Sequence, residues 1–301
     1  MTAIARAAVA TRDRPSLWVV ALCGFLARGG IVLLLLPVIP LPSTVGLATF
    51  VGPTSVTAAG LTPDSVVRLT VIVALVVGWL LVGNAVGAMA DAAIVVGLRP
   101  AGRAAGHPGA AGQAVDRGRL VRLVGLRLVA LLPLIAVVAL TARSVGDLVY
   151  QELILPSDSA APILLRVVQG AQVQVAAILL AWIAGEVLGG IAVRLAILED
   201  RSFVRAIGGS IVHVVRHPLT SLVAAVAGVA VLIAAVGLPL MATGRAWTSV
   251  VEALSGTIDG SGVVLATILL VSSWIGAAIL AAIVATWRGA LWTVEVAQAR
   301  V

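Results

Sequence analysis

The sequence predicts an all-α fold: a polytopic transmembrane bundle of about six spans, arranged as three hairpins with the N- and C-termini cytoplasmic. Three observations predict it. Charged residues make up 11% of the 301 and hydrophobic residues 61%, with a mean hydropathy of +1.15, whereas a soluble domain carries about a quarter charged residues. Six apolar stretches each reach the roughly 20 residues that a helix needs to cross a bilayer core. The segments between those stretches alternate between rich and poor in arginine.

The stretches lie at about 17–39, 67–96, 123–140, 163–197, 219–241 and 263–285 of a single integral membrane domain. Arg6, Arg12 and Arg14 precede the first; Arg99, Arg103, Arg117, Arg119 and Arg122 follow the second; Arg201, Arg205 and Arg216 follow the fourth; Arg288 and Arg300 follow the sixth. The other three connections are poor in arginine. Positive charge collects on the cytoplasmic side of a membrane protein, so all four arginine-rich segments are expected there. The net charge of +7 is then a matter of membrane orientation, and no nucleic-acid partner is expected. All 20 basic residues are arginine, which reads as the bias of a GC-rich, bacterial genome. The expected location is the bacterial cytoplasmic membrane.

The single cysteine, Cys23, excludes an internal disulfide. Its setting, "VVALCG", is superficially like a lipoprotein cleavage site, but Leu22 stands where a small residue is needed, and Cys23 reads as a buried thiol. A cleaved signal peptide is not expected either, because the apolar stretch contains Arg28 and runs well past the usual length. Residues 97–118, rich in Gly and Ala, read as a mobile cytoplasmic loop.

Two internal matches organise the chain. "WLLVGNAVG" from Trp79 resembles "WIAGEVLGG" from Trp182, each setting a Trp before a Gly-x-x-x-Gly pair: Gly83 with Gly87, and Gly185 with Gly189. Such pairs let helices approach closely. Downstream, "LVRLVG" (120–125) matches "FVRAIG" (203–208), each after an Asp-Arg pair. An internal repeat of helical hairpins is the expectation. Residues 199–216 read as an interfacial helix: Phe203, Ile207, Ile211 and Val214 recur at helical spacing, with Arg201, Arg205 and Arg216 expected to contact anionic lipid headgroups. His213 and His217 lack a third ligand, so neither metal nor any other cofactor is expected.

Six spans with "LEDRSFVRAIGGS" between the fourth and fifth resemble a loose superfamily of uncharacterised bacterial membrane proteins. It includes the membrane domain of some glycerophosphodiester phosphodiesterases. "LWVVALCGFLARGGIVLLLLPVIPLP" is similar to the opening of such proteins from GC-rich bacteria. The catalytic phosphodiesterase domain has no counterpart here, so the resemblance implies a membrane fold and assigns no residue a role.

The chemistry lies in polar residues inside the spans. Counted from the expected helix ends at about 1.5 Å per residue, Arg28 and Glu186 both sit about 16 Å deep, with Asn84 at the same level. Arg28 is therefore expected to pair with Glu186 beside Asn84, and Asp91 with Arg194 nearer the cytoplasmic face. These residues form either a structural clasp or a site for a polar ligand. Zinc-helix and phosphate-loop motifs are absent, and there is no lysine. Catalysis by carboxylates alone, Asp91 and Glu186, is the remaining route to an enzyme. The leading expectation is a non-catalytic membrane protein that organises lipids or partner membrane proteins, with a homo-oligomer among the options. The alternative is a transporter or lipid-handling protein using the level of Arg28 and Glu186.

Overall fold

In a computed structural model, residues 2–39, 56–57, 60–98, 117–154, 163–255 and 260–298 are described. Most of the expected loop at 97–118 lies outside them, as does Arg300. The chain is helical apart from a two-residue antiparallel ladder, β1 (Val56–Thr57) with β2 (Gly60–Leu61). The helices are α1 (Ala3–Arg12), α2 (Ser16–Phe25), α3 (Ile31–Leu35), α4 (Pro63–Gly97), α5 (Arg117–Ala130) and α6 (Leu132–Ile154). They continue as α7 (Ile163–Gly170), α8 (Gln172–Leu198), α9 (Phe203–Arg216), α10 (Pro218–Leu254) and α11 (Gly260–Gln298). A π-helical turn, Leu26–Gly30, joins α2 to α3.

Six helical stretches among the described residues are long and apolar enough to cross a membrane: Ser16–Leu35, Val66–Gly97, Arg117–Glu152, Gln172–Leu198, Pro218–Leu254 and Ser261–Gln298. Each overlaps an expected span. The main difference is length. The last helix runs on to Gln298 and carries Arg288 and Glu295 along, because a helix continues past its apolar stretch wherever its polar groups find partners in the protein. The third span is interrupted at Leu131, two residues before Pro133, which lacks the N–H needed to continue the ladder. Cys23 is exposed on α2, against the expectation of a buried thiol. In an apolar span an outward side chain faces hydrocarbon, and a small thiol is acceptable there.

The chain divides into two compact units. The first comprises residues 1–39, 81–129 and 187–301. Within it α2 and α4 run antiparallel at close range, with Leu17 beside Gly97, Gly24 beside Ala90 and Arg28 beside Gly87. Helices α10 and α11 are also antiparallel, joined by Ser221 to Glu295 and Thr243 to Ser273. Three bonds fasten α11 to the start of the chain: Trp287 to the Ile4 carbonyl, Thr286 to the Leu17 carbonyl, and Trp274 to the Leu34 carbonyl. Apolar clusters pack among the described residues of this unit. One gathers Ala88, Val95, Leu123, Leu126, Val193 and Ala206, and another Leu34, Val236, Ala277 and Ala281.

The second unit comprises residues 40–80 and 130–186. Among its described residues, buried Arg166 of α7 pairs with the partly buried Glu152 of α6 at 3.1 Å.

Glycines set the closest approaches. A Cβ on Gly83 would run into the Ala27 carbonyl oxygen, and one on Gly185 into the Ala130 carbonyl oxygen. Both glycines come from the matched Trp-Gly motifs, and both carbonyls come from places where a helix is interrupted. Gly78, one turn earlier on α4, faces open space. Gly83→Ala is therefore expected to lower the unfolding midpoint in detergent, by roughly 1–3 kcal/mol of overpacking strain. Gly78→Ala is expected to leave it unchanged or raise it.

Candidate functional site: an arginine cluster on Asp91

The first span breaks where its charge sits. Arg28 (φ −83°, ψ 16°) and Gly29 (φ +102°) leave helical geometry inside the π-helical turn. Only glycine adopts the Gly29 conformation without steric cost. The break brings the Ala27 carbonyl to Gly83 and lays the Arg28 side chain over Gly87, whose added Cβ would lie 2.7 Å from Arg28 Cδ. The Gly83–Gly87 pair thus makes a channel on α4 for an arginine chain as well as a flat contact.

From this channel Arg28 turns back along its own helix. Its Nε donates to the Gly24 carbonyl at 3.1 Å, and Nη1 donates to Asp91 Oδ2 at 3.3 Å. Asp91 is 3% exposed and holds two further guanidiniums. Arg127 of α5 donates from Nη2 to the same Oδ2, and Arg194 of α8 has Nη2 3.7 Å from Oδ1. Arg194 also donates to the carbonyls of Gly190, at 2.9 Å, and Gly289 of α11, at 3.2 Å. One carboxylate thereby gathers α4, α5, α8 and the break after α2, and Arg194 extends the cluster to α11. Asn84 is buried two turns before Asp91 on α4.

Helix direction explains the convergence. Side chains lean toward the N-terminus of their helix. Arg28 and Arg127 sit more than two turns past the starts of α2 and α5 and lean back toward those starts. Asp91 and Arg194 lie near the ends of α4 and α8, which run the other way, and lean inward. The four side chains meet between.

The structure corrects the expected pairing. The acid on Arg28 is Asp91, and Glu186, placed there by its equal depth, belongs to the second unit. Depth counted at Cα ignores that an arginine reaches several Å back along its helix. The expected Asp91–Arg194 association is present. Arg127 was not singled out from the sequence. Its signal was available: it is the one charge inside the third apolar stretch, "LVGLRLVAL".

Around α9 the expected stripe is also corrected. Ala206 and Ser210 are buried and Phe203 and Ile207 pack on the core, while Ile211, Val212 and Val215 are exposed. Arg201 pairs with Glu199, whereas Arg205 and Arg216 face outward. Asp200, in the left-handed region at φ 48°, takes Arg122 at 3.3 Å and Arg119 at 3.9 Å. Gly125 faces the Phe203 ring, so the two matched segments of the sequence lie against each other. Among the described residues no group of three or more His, Cys, Asp or Glu could hold a metal ion.

Asp91→Asn would leave three guanidiniums around a neutral amide. Removing one partner of a buried ion pair destabilises by roughly 3–5 kcal/mol, and a loss of that order is expected in the unfolding of purified protein. Arg28→Gln should cost less, since the Arg28 side chain is 27% exposed. The double variant should fall short of the sum of the two losses, because both remove the same contact.

No family model, curated protein or solved structure matches this chain.

Proposed function

We propose that this is a non-catalytic, multi-pass protein of the bacterial cytoplasmic membrane that binds anionic lipid headgroups, with Arg28 as the principal contact. One observation carries the reading. A guanidinium has five N–H donors, and Arg28 uses one on Gly24 and one on Asp91. The oxygen it meets is already held by Arg127, and its side chain is partly exposed. The remaining donors suit a phosphate, which arginine binds in a forked geometry.

Further features agree with that reading. A cavity of about 280 Å³ is lined by Arg6, Asp13 and Arg14 with the apolar Val9, Ala10 and Leu98, which sets charged beside apolar groups. Arg205 and Arg216 flank the exposed apolar face of α9, as in a helix lying among headgroups. The arginine bias of the connections supports cytoplasmic termini for the whole assembly. Asp91, gripped by three guanidiniums, is poorly placed to act as a general base. The paired glycine–carbonyl contacts at Gly83 and Gly185 support an internal repeat of helical hairpins.

A second reading, a transporter, is favoured by the break at Arg28–Gly29, since discontinuous helices line the sites of many transporters.

The test is stabilisation by lipid. Purified protein should unfold at a higher temperature with a soluble short-chain phosphatidylglycerol than with the matching phosphatidylcholine. The gain is expected to be about 2.7 kcal/mol at a hundredfold excess over Kd. Arg28→Gln should abolish most of it, and Arg122→Gln, whose contacts are Asp200 and the Arg201 carbonyl, should not. A full gain in Arg28→Gln removes Arg28 from the site. Separately, Arg28→Cys in a Cys23→Ser background can be exposed to a charged, membrane-impermeant thiol reagent. Rapid labelling would mean a water-filled path and favour the transporter.

A further inference from the structure

A second polar junction lies in the same unit. Glu295, near the end of α11, is 6% exposed. Its Oε1 meets His213 Nε2 at 3.0 Å, Ser221 Oγ at 3.1 Å and Thr220 Oγ1 at 3.4 Å, while its buried Oε2 has no hydrogen-bond partner. The donors come from two elements. His213 belongs to α9, and Thr220 and Ser221 to the first turn of α10. All the polar contacts crowd onto one oxygen.

We infer that His213 and Glu295 form a proton-binding site whose occupancy sets how firmly α9 docks on the bundle. Helix α9 buries only Ala206 and Ser210 and leaves Val204, Ile211, Val212 and Val215 outward. Phe203, Ala206 and Ile207 hold its N-terminal half on the core, whereas the apolar residues of its C-terminal half face outward, so a polar tie matters there. That tie sits near its C-terminal end, where His217 (φ −126°, ψ 54°) breaks the helix before Pro218. The break can act as a hinge.

The chemistry is the transfer of one proton from a solvent hydronium ion to His213 Nδ1: an O–H bond breaks, an N–H bond forms and a water molecule is left, while Nε2 keeps its N–H on Glu295. Histidine is the side chain whose ordinary charge change falls between pH 5 and 8. With His213 neutral, the contact to Glu295 is a single hydrogen bond to a carboxylate. With His213 protonated, it becomes an ion pair in a water-poor site, which is stronger. The tie is therefore tighter with the proton bound and looser without it.

The other charged and titratable groups nearby can be named element by element. On α9 and its cap they are Arg216 and His217, the latter with its ring centroid 5.2 Å from that of His213. Helix α10 offers the hydroxyls of Thr220 and Ser221. On α11, Arg288 lies two turns before Glu295 and packs on Gly228 of α10. On α8, Arg194 bonds the Gly289 carbonyl. These neighbours are basic, so Glu295 supplies the negative charge at this junction.

The experiment is hydrogen exchange read by mass spectrometry on full-length protein in lipid nanodiscs at pH 6 and pH 8, with exposure times scaled for the intrinsic rate. Peptides covering α9 should be protected roughly fivefold more at pH 6, the difference between an ordinary and a charge-assisted hydrogen bond. Peptides covering α4 should not change. His213→Gln, which keeps a donor but cannot take up the proton, should remove the pH dependence, and His217→Gln should preserve it. Equal protection of α9 at both pH values in the unaltered protein would overturn the proposal. So would a pH dependence that survives His213→Gln or disappears in His217→Gln. Glu295→Asp, which keeps the charge at a shorter reach, guards against misfolding of a neutral variant and should retain a weakened dependence.

Discussion

Asp91 is the constraint around which the first unit is arranged. A carboxylate that is almost fully buried in an apolar bundle needs cationic partners, and it has three, each from a different part of the chain. Bringing them together fixes which helices neighbour α4. Arg127 brings α5, Arg194 brings α8 and, through Gly289, α11, and Arg28 brings the first span. Between lipid-facing helices there is little hydrophobic drive to choose one neighbour over another. A directional charge cluster supplies the choice that apolar packing does not.

The backbone around the cluster is shaped to permit it. An unbroken helix through Arg28 would present a continuous cylinder to α4. The turn at Gly29 instead frees the Ala27 carbonyl to approach Gly83, and Gly87 leaves the width of an arginine stem beside it. The irregular turn at Gly29 is thus what makes these close contacts possible. Beside the interruption at Leu131, the Ala130 carbonyl likewise lies against Gly185.

The two polar junctions differ in character. The Asp91 cluster consists of arginines, which stay charged at any physiological pH, and so it is a permanent fastening with one exposed edge at Arg28. The Glu295 junction ends on a histidine in the C-terminal half of α9, where the apolar side chains face outward.

Sequence alone determined the membrane class, the approximate spans, a helix between the fourth and fifth spans and close approaches at Gly83, Gly87 and Gly185, because each rests on local composition or on periodicity along one helix. It also marked Arg28, Asp91 and Arg194 as charges out of place. Tertiary structure decided who meets whom. Arg28 was matched by depth to Glu186 and is found on Asp91, since a long side chain leans toward its helix start and level at Cα is a poor guide to level at the guanidinium. Arg127 and Glu295 gained their roles only when helices distant in sequence came together. Their significance lies in the partners they find, and a partner is a property of the fold.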